Sequence, residues 1–164
     1  MAILRSQRGQ ALLEVALVTP LLLALLVGTI ELGRFAYIGI LVGNAARAGA
    51  AYGAQSLAQS VCAPPAPCGI QTAADNDYQN NGQLVSGLTV TATNSCGCDS
   101  GGTITSAGCN TTSNPTAGTC TGNGVWVVMV SVTASGTFTP LFTYPGISKS
   151  ITISRTSIMR VAQD

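Results

Sequence analysis

Few groups in this chain could do chemistry, and they are unevenly placed. Six cysteines, Cys62, Cys68, Cys96, Cys98, Cys109 and Cys120, all follow residue 61, and there is no histidine. The missing imidazole removes the commonest general base and the commonest metal ligand. An even set of thiols in a small, loop-rich region points to disulfides in an oxidising compartment. The rival chemistry is a metal site built on Cys96-Gly97-Cys98, but structural zinc prefers longer spacers and often recruits histidine. Connectivity stays open, with Cys62 to Cys68 across a proline-rich loop as the local expectation. Asp75 and Asp77 invite a calcium reading, yet the stretch lacks the ligand alternation and closing glutamate of an EF-hand. It reads instead as a solvated turn. Asn110-Thr111-Thr112 is a glycosylation sequon by pattern, set in a loop rich in Thr and Asn. No Ser/His/Asp or Cys/His pair, phosphate loop or metal cluster emerges, so the chain reads as a non-enzyme without a cofactor. With a net charge of +1 and no basic run, it lacks the clustered footprint of a nucleic-acid binder.

One further group is chemically out of place. Gln10 to Ile30 is a run of 21 residues in which Glu14 is the sole charge, close to the ~20 residues that a helix needs to cross a bilayer. Arg5 and Arg8 precede it, and Pro20 lies at its middle. A cleaved secretory signal has a shorter apolar stretch. A plain signal anchor explains the length and the arginines but leaves the glutamate unexplained. A carboxylate at the centre of a membrane helix costs about 2.5–3.5 kcal/mol, and less toward an end. It is tolerated when paired, or when it lies at the headgroup level, ionised and solvated. The arginines before the run place the N-terminus in the cytoplasm, with Glu31 and Arg34 compensating each other on the far side. The cysteines then lie outside, where disulfides persist.

A third identity accounts for the placement of Glu14. The stretch Arg8-Gly9-Gln10-Ala11-Leu12-Leu13-Glu14 resembles the prepilin signature, in which a leader is cut before the apolar run. Cutting between Gly9 and Gln10 makes residues 1–9 a cytoplasmic leader and Gln10 the new N-terminus. The ammonium of Gln10 on an adjacent subunit then suits Glu14, and such a buried pair fixes register between helices. The longer stretch from Arg8 to Leu23, with Ile30-Glu31-Leu32-Gly33-Arg34 and Asn44-Ala45-Ala46-Arg47-Ala48-Gly49-Ala50, resembles the TadE-like family. These are pseudopilin-like components of the tight-adherence, Flp-type pilus machinery. One departure is Ala51, which stands where many members carry a second arginine. The resemblance implies a pilin-like architecture and assembly roles for Glu14, Pro20, Glu31, Arg34 and Arg47. It also implies as partners other pilin or pseudopilin subunits, a prepilin peptidase, the inner-membrane assembly platform and the lipid bilayer.

These groups must be carried by a small set of elements. No stop signal follows Arg34, and Ile38, Leu41, Ala45, Ala48 and Tyr52 recur at helical spacing, so residues 10–58 are expected to form one helix. Gly39/Gly43 and Ala45/Gly49/Gly53 have the small-residue spacing that lets helices approach closely. Residues 59–83, with Pro64, Pro65 and Pro67, read as a linker, since proline removes donors and restricts its predecessor. Residues 84–164 read as a strand-rich, extracytoplasmic domain. Leu88–Thr93 and Val125–Ala134 alternate as strands should, with a long stapled loop over 94–124 between them. A separate edge strand is expected over Thr137–Tyr144, broken by Pro140, and a last strand carries Ile151, Ile153, Met159 and Val161 on one face. The expected class is α+β: a long N-terminal transmembrane helix packed on a small antiparallel sheet with disulfide-stapled loops. The expected role is structural, as a minor pilin or pseudopilin of a Tad-type pilus in a single-pass inner-membrane protein. The alternative is an anchored extracytoplasmic binding or scaffold module of a secretion system that stays out of the filament.

Overall fold

Leu, Ala and Val dominate the chain from Ala11 to Val42, and most of these lose little or no side-chain freedom in a helix. They form α1 (Arg8–Gly53), 46 residues with Pro20 inside. The computed structural model describes residues 8–63, 66–80, 87–109, 118–142, 146 and 148–162. The leader to Gln7, Pro64-Pro65, the Asn81-Gly82 turn, the sequon at Asn110 and Tyr144-Pro145 lie outside those residues. The chain divides into two compact units, Met1–Ala36 and Tyr37–Asp164, with α1 continuous through the boundary.

In the second unit α1 stops at Gly53, short of the expected Ala58. Ala54 N still donates to Ala50 O at 2.9 Å, but Gln55 N turns to Tyr52 O at 3.2 Å. Ala54 O is then free to accept from Ala162 N at 2.8 Å, a bond that a continuing helix would have used internally. The expected linker contains a second helix, α2 (Gly69–Asn80), so Asp75-Asn76-Asp77 is helical and not a turn. Ile70, Ala74 and Tyr78 form its buried stripe at spacings of four. Its start is capped by Gln71, whose Oε1 accepts from Cys68 N at 3.0 Å, half of a capping box.

The sheet contains β1 (Thr89–Ser100), β2 (Thr103–Ala107), β3 (Val125–Phe138) and β4 (Ile151–Arg160) in the order β2-β1-β3-β4. Every neighbouring pair is antiparallel. The stretch expected as one loop from Asn94 is in part a hairpin. β1 runs on to Ser100 and returns as β2 through Gly101 and Gly102, with φ of 64° and 91°. Two consecutive positive φ values are what a tight hairpin turn needs, and glycine meets that need without strain. The separate strand expected from Thr137 is instead the end of β3, which continues through Gly136 to Phe138, with Gly136 opposite Ile153.

One face of this sheet is apolar and the other is covered with hydroxyls. Val90, Cys96, Trp126, Val128, Val130, Val132, Ala134, Phe138 and Ile153 point inward and are buried with Ile38, Leu41, Val42, Ala45, Ala46 and Ala50 of α1. The approach is close at Gly49, where a Cβ would stand 3.1 Å from Ile70 O and 3.2 Å from Val132 Cγ1, and at Gly53, where it would stand 2.9 Å from Ile70 Cδ1. On the outer face Thr91, Thr133 and Thr156 share one row across three strands, and Ser135 pairs with Ser154 in the next. The hydroxyls of Thr133 and Thr156 lie 2.8 Å apart, and Ser135 Oγ donates to Ser154 Oγ at 3.1 Å. At one end of that face Arg160 bridges to Asp99 at 3.3 Å.

Candidate functional site

The first unit consists of α1 from Arg8 to Ala36 among the described residues, and most of its described side chains are exposed. Leu12, Leu17 and Leu32 are each more than 70% exposed, and Leu13, Val15, Leu21, Leu22, Leu23, Leu25 and Leu26 more than half. The segment is long and apolar enough to cross a membrane, with a mean hydropathy of 2.3 in its best window. This suggests a single-pass anchor. Its two threonines are satisfied within the helix, as hydrocarbon requires. Thr19 Oγ1 donates to Val15 O at 2.7 Å and Thr29 Oγ1 to Leu26 O at 2.8 Å. The Thr19 bond sits beside Pro20, which has no N–H to offer the preceding turn.

Gly9 and Gln10 lie in the first turn of α1, and Glu14 is exposed one turn further on. Residues four apart share a helix face, so Gln10 and Glu14 lie on one side. Glu31, by contrast, is buried, and its Oε2 accepts from Arg34 Nη1 at 3.1 Å. A shallow apolar groove along the same stretch is lined by Ala24, Gly28, Thr29, Leu32, Gly33 and Ala36. A Cβ added at Gly28 or Gly33 would meet nothing within 4 Å. Nothing in this chain therefore requires glycine at either place. Arg47 belongs to the second unit and is exposed.

The six cysteines form three disulfides, Cys62–Cys68, Cys96–Cys109 and Cys98–Cys120, and no cysteine is free. With both sulfurs of Cys96-Gly97-Cys98 in disulfides, no thiolate remains there for a metal. Alternation places Cys96 and Cys98 on the inner face of β1, so the two bridges hold Cys109 and Cys120 to that face. Gly118 then lies against the Trp126 ring, where a Cβ would come within 2.6 Å. Asp75 is partly buried, and burial raises its carboxyl above the ordinary value. Sequence reasoning also passed over exposed apolar residues of the second unit: Leu141 and Phe142 after β3, and Ile158 on the outer face. For the first two the signal was available, an apolar pair following Pro140.

No curated protein and no solved structure matches the chain. A family model does match, described as TadE-like protein, over residues 9–51. Those limits fall within two residues of the ends of α1 and leave the sheet unmatched. The element shared with that family is therefore the helix that carries Glu14, Glu31, Arg34 and Arg47, and the chain carries a TadE-like segment over residues 9–51.

Proposed function

We propose that this protein is a minor pilin or pseudopilin that takes part in assembly of a Tad-type pilus, with α1 as both anchor and assembly element. The observation that carries this reading is the coincidence of the TadE-like segment with a helix whose first half exposes its leucines. The TadE-like match suggests a component associated with the Tad pilus and a structural role. In the membrane, lipid covers that apolar surface. On assembly, the same surface on other subunits replaces lipid, and the open groove at Gly28 and Gly33 permits close helix contact.

A prepilin peptidase cuts between Gly9 and Gln10, and the new ammonium of Gln10 pairs with Glu14 of a neighbouring subunit. In low dielectric that pair selects one axial register over its neighbours, because a shifted helix leaves a carboxylate unpaired. The N-terminus faces the cytoplasm and the sheet unit the oxidising side of the inner membrane, where its disulfides form. Other pilin subunits and the inner-membrane assembly platform are the partners. Replacing Glu14 with Ala tests the reading: piliation is lost while the protein remains in the membrane fraction. Normal piliation in that variant overturns the role of Glu14.

A further inference from the structure

We propose that Leu141 and Phe142, at the start of the connection that follows β3, make a second membrane contact, seated in the lipid headgroup and upper acyl region. The position of this connection follows from contacts within the second unit. At Gly53 a Cβ would meet Val130 Cγ2 at 3.1 Å, and at Gly49 it would meet Val132. Gly43 and Gly39 face Arg155, which pairs with Ala134. Following α1 back toward Tyr37 therefore means following β3 forward toward Phe138. The connection leaves β3 at the end of the unit where α1 enters it. At Tyr37 the chain passes directly into the membrane-length segment, so this end is covalently tied closest to the bilayer.

The chemistry of that end fits a lipid surface. Leu141 is 65% and Phe142 52% exposed, next to a strand that has just ended. Residues 139–150 contain no Asp or Glu, and their only charge is Lys149, which is exposed. A lone cation beside apolar side chains suits an anionic headgroup layer. Aromatic residues concentrate there too. In the second unit Tyr37, Phe138 and Phe142 fall at this end. Aromatic side chains with an apolar body gather at membrane–water interfaces. The opposite end differs: Ile104 and Val125 are exposed there, but they flank Asp99, which is paired with Arg160. The inference rests on α1 spanning the membrane and not on its joining a filament.

The test uses the full chain in vesicles of phosphatidylcholine and phosphatidylglycerol, with and without bromine on the acyl chains. The native Trp126 is buried at the start of β3, about 40 Å of strand away from Phe138. The parent protein therefore supplies the background signal. In Phe142→Trp, and separately in Leu141→Trp, the added emission should be quenched by brominated lipid about twofold more than that of Trp126. Two results overturn the contact in protein that floats with the vesicles. One is unquenched, water-like emission. The other is unquenched, blue-shifted emission, which means the loop is covered by protein, such as a second copy. Protein that does not float overturns both this contact and the anchoring on which it rests.

Discussion

Residues 10–36 and 37–53 belong to one helix, yet they meet their surroundings in opposite ways. In the first stretch the leucines are exposed and the glycines at 28 and 33 touch nothing. In the second, Ile38, Val42, Ala45 and Ala50 are fully buried, and Gly49 and Gly53 have no room for a Cβ. Helical hydrogen bonding does not distinguish the two. What differs is who supplies the neighbouring atoms: the chain's own α2 and sheet in one case, lipid or another chain in the other. Glycines along one helix therefore carry two meanings, internal packing after Tyr37 and external packing before it.

Variants can break that contrast, beginning with the staples. Replacing Cys96, Cys98, Cys109 and Cys120 by Ala should cost about 3 kcal/mol per bridge. A unit of this size has little stability to spare. Urea unfolding followed by Trp126 fluorescence should then show an unfolded sheet unit, while vesicle flotation through α1 is unchanged. Next is a matched pair along α1. Ile38→Ala should lower the stability of the sheet unit by about 2–4 kcal/mol, whereas Leu22→Ala leaves the urea midpoint where it was. Leu22→Lys acts the other way, costing about 3 kcal/mol of membrane insertion without moving that midpoint.

A glycine pair sharpens the comparison at lower amplitude. Gly49→Val forces α1 from Ile70 and Val132 and should cost about 1–3 kcal/mol. Gly28→Val should not change sheet stability at all, and a loss there would mean that the chain itself packs on Gly28. The smallest effect is electrostatic. Burial raises the Asp75 carboxyl above 3.8, so the folded state holds its proton more tightly than the unfolded state. That contribution is fully present below pH 3.8 and is lost as pH rises through the higher folded value. Asp75→Asn should flatten this part of the stability profile, and an unchanged profile would show that Asp75 is solvated in the folded state.

The sequence conveyed the class and the strongest elements because their periods are long and unmixed. The even positions of Val125–Ala134 lie inward as their alternation implies, and Ile153 and Val161 are buried on one face. The helix face was read less well. Ile38, Leu41 and Ala45 are buried as expected, but Ala48 and Tyr52 are only half-buried, while Ala46, Gly49, Ala50 and Gly53 are inside. Hydrophobicity favoured the larger residues, and close approach of α2 favoured the smaller ones. α2 itself was hidden because its polar residues, among them Asp75, Asn76 and Asp77, outnumber its stripe of Ile70, Ala74 and Tyr78. The cue from Gln71, three residues after Cys68, was local and short. Gly101-Gly102 was a legible hairpin signal, obscured by the surrounding glycines and cysteines. At the candidate site the place of Glu14 near the start of α1 was legible, but which glycines are packed and which are open required coordinates.

The central claim is that the apolar half of α1 is processed at its start and joins subunits in a filament. Mass spectrometry of pili sheared from cells measures this directly. The expected result is a peptide from this chain beginning at Gln10 in the sheared material. Recovery of the protein only in the membrane fraction, with residues 1–9 still attached, would contradict it.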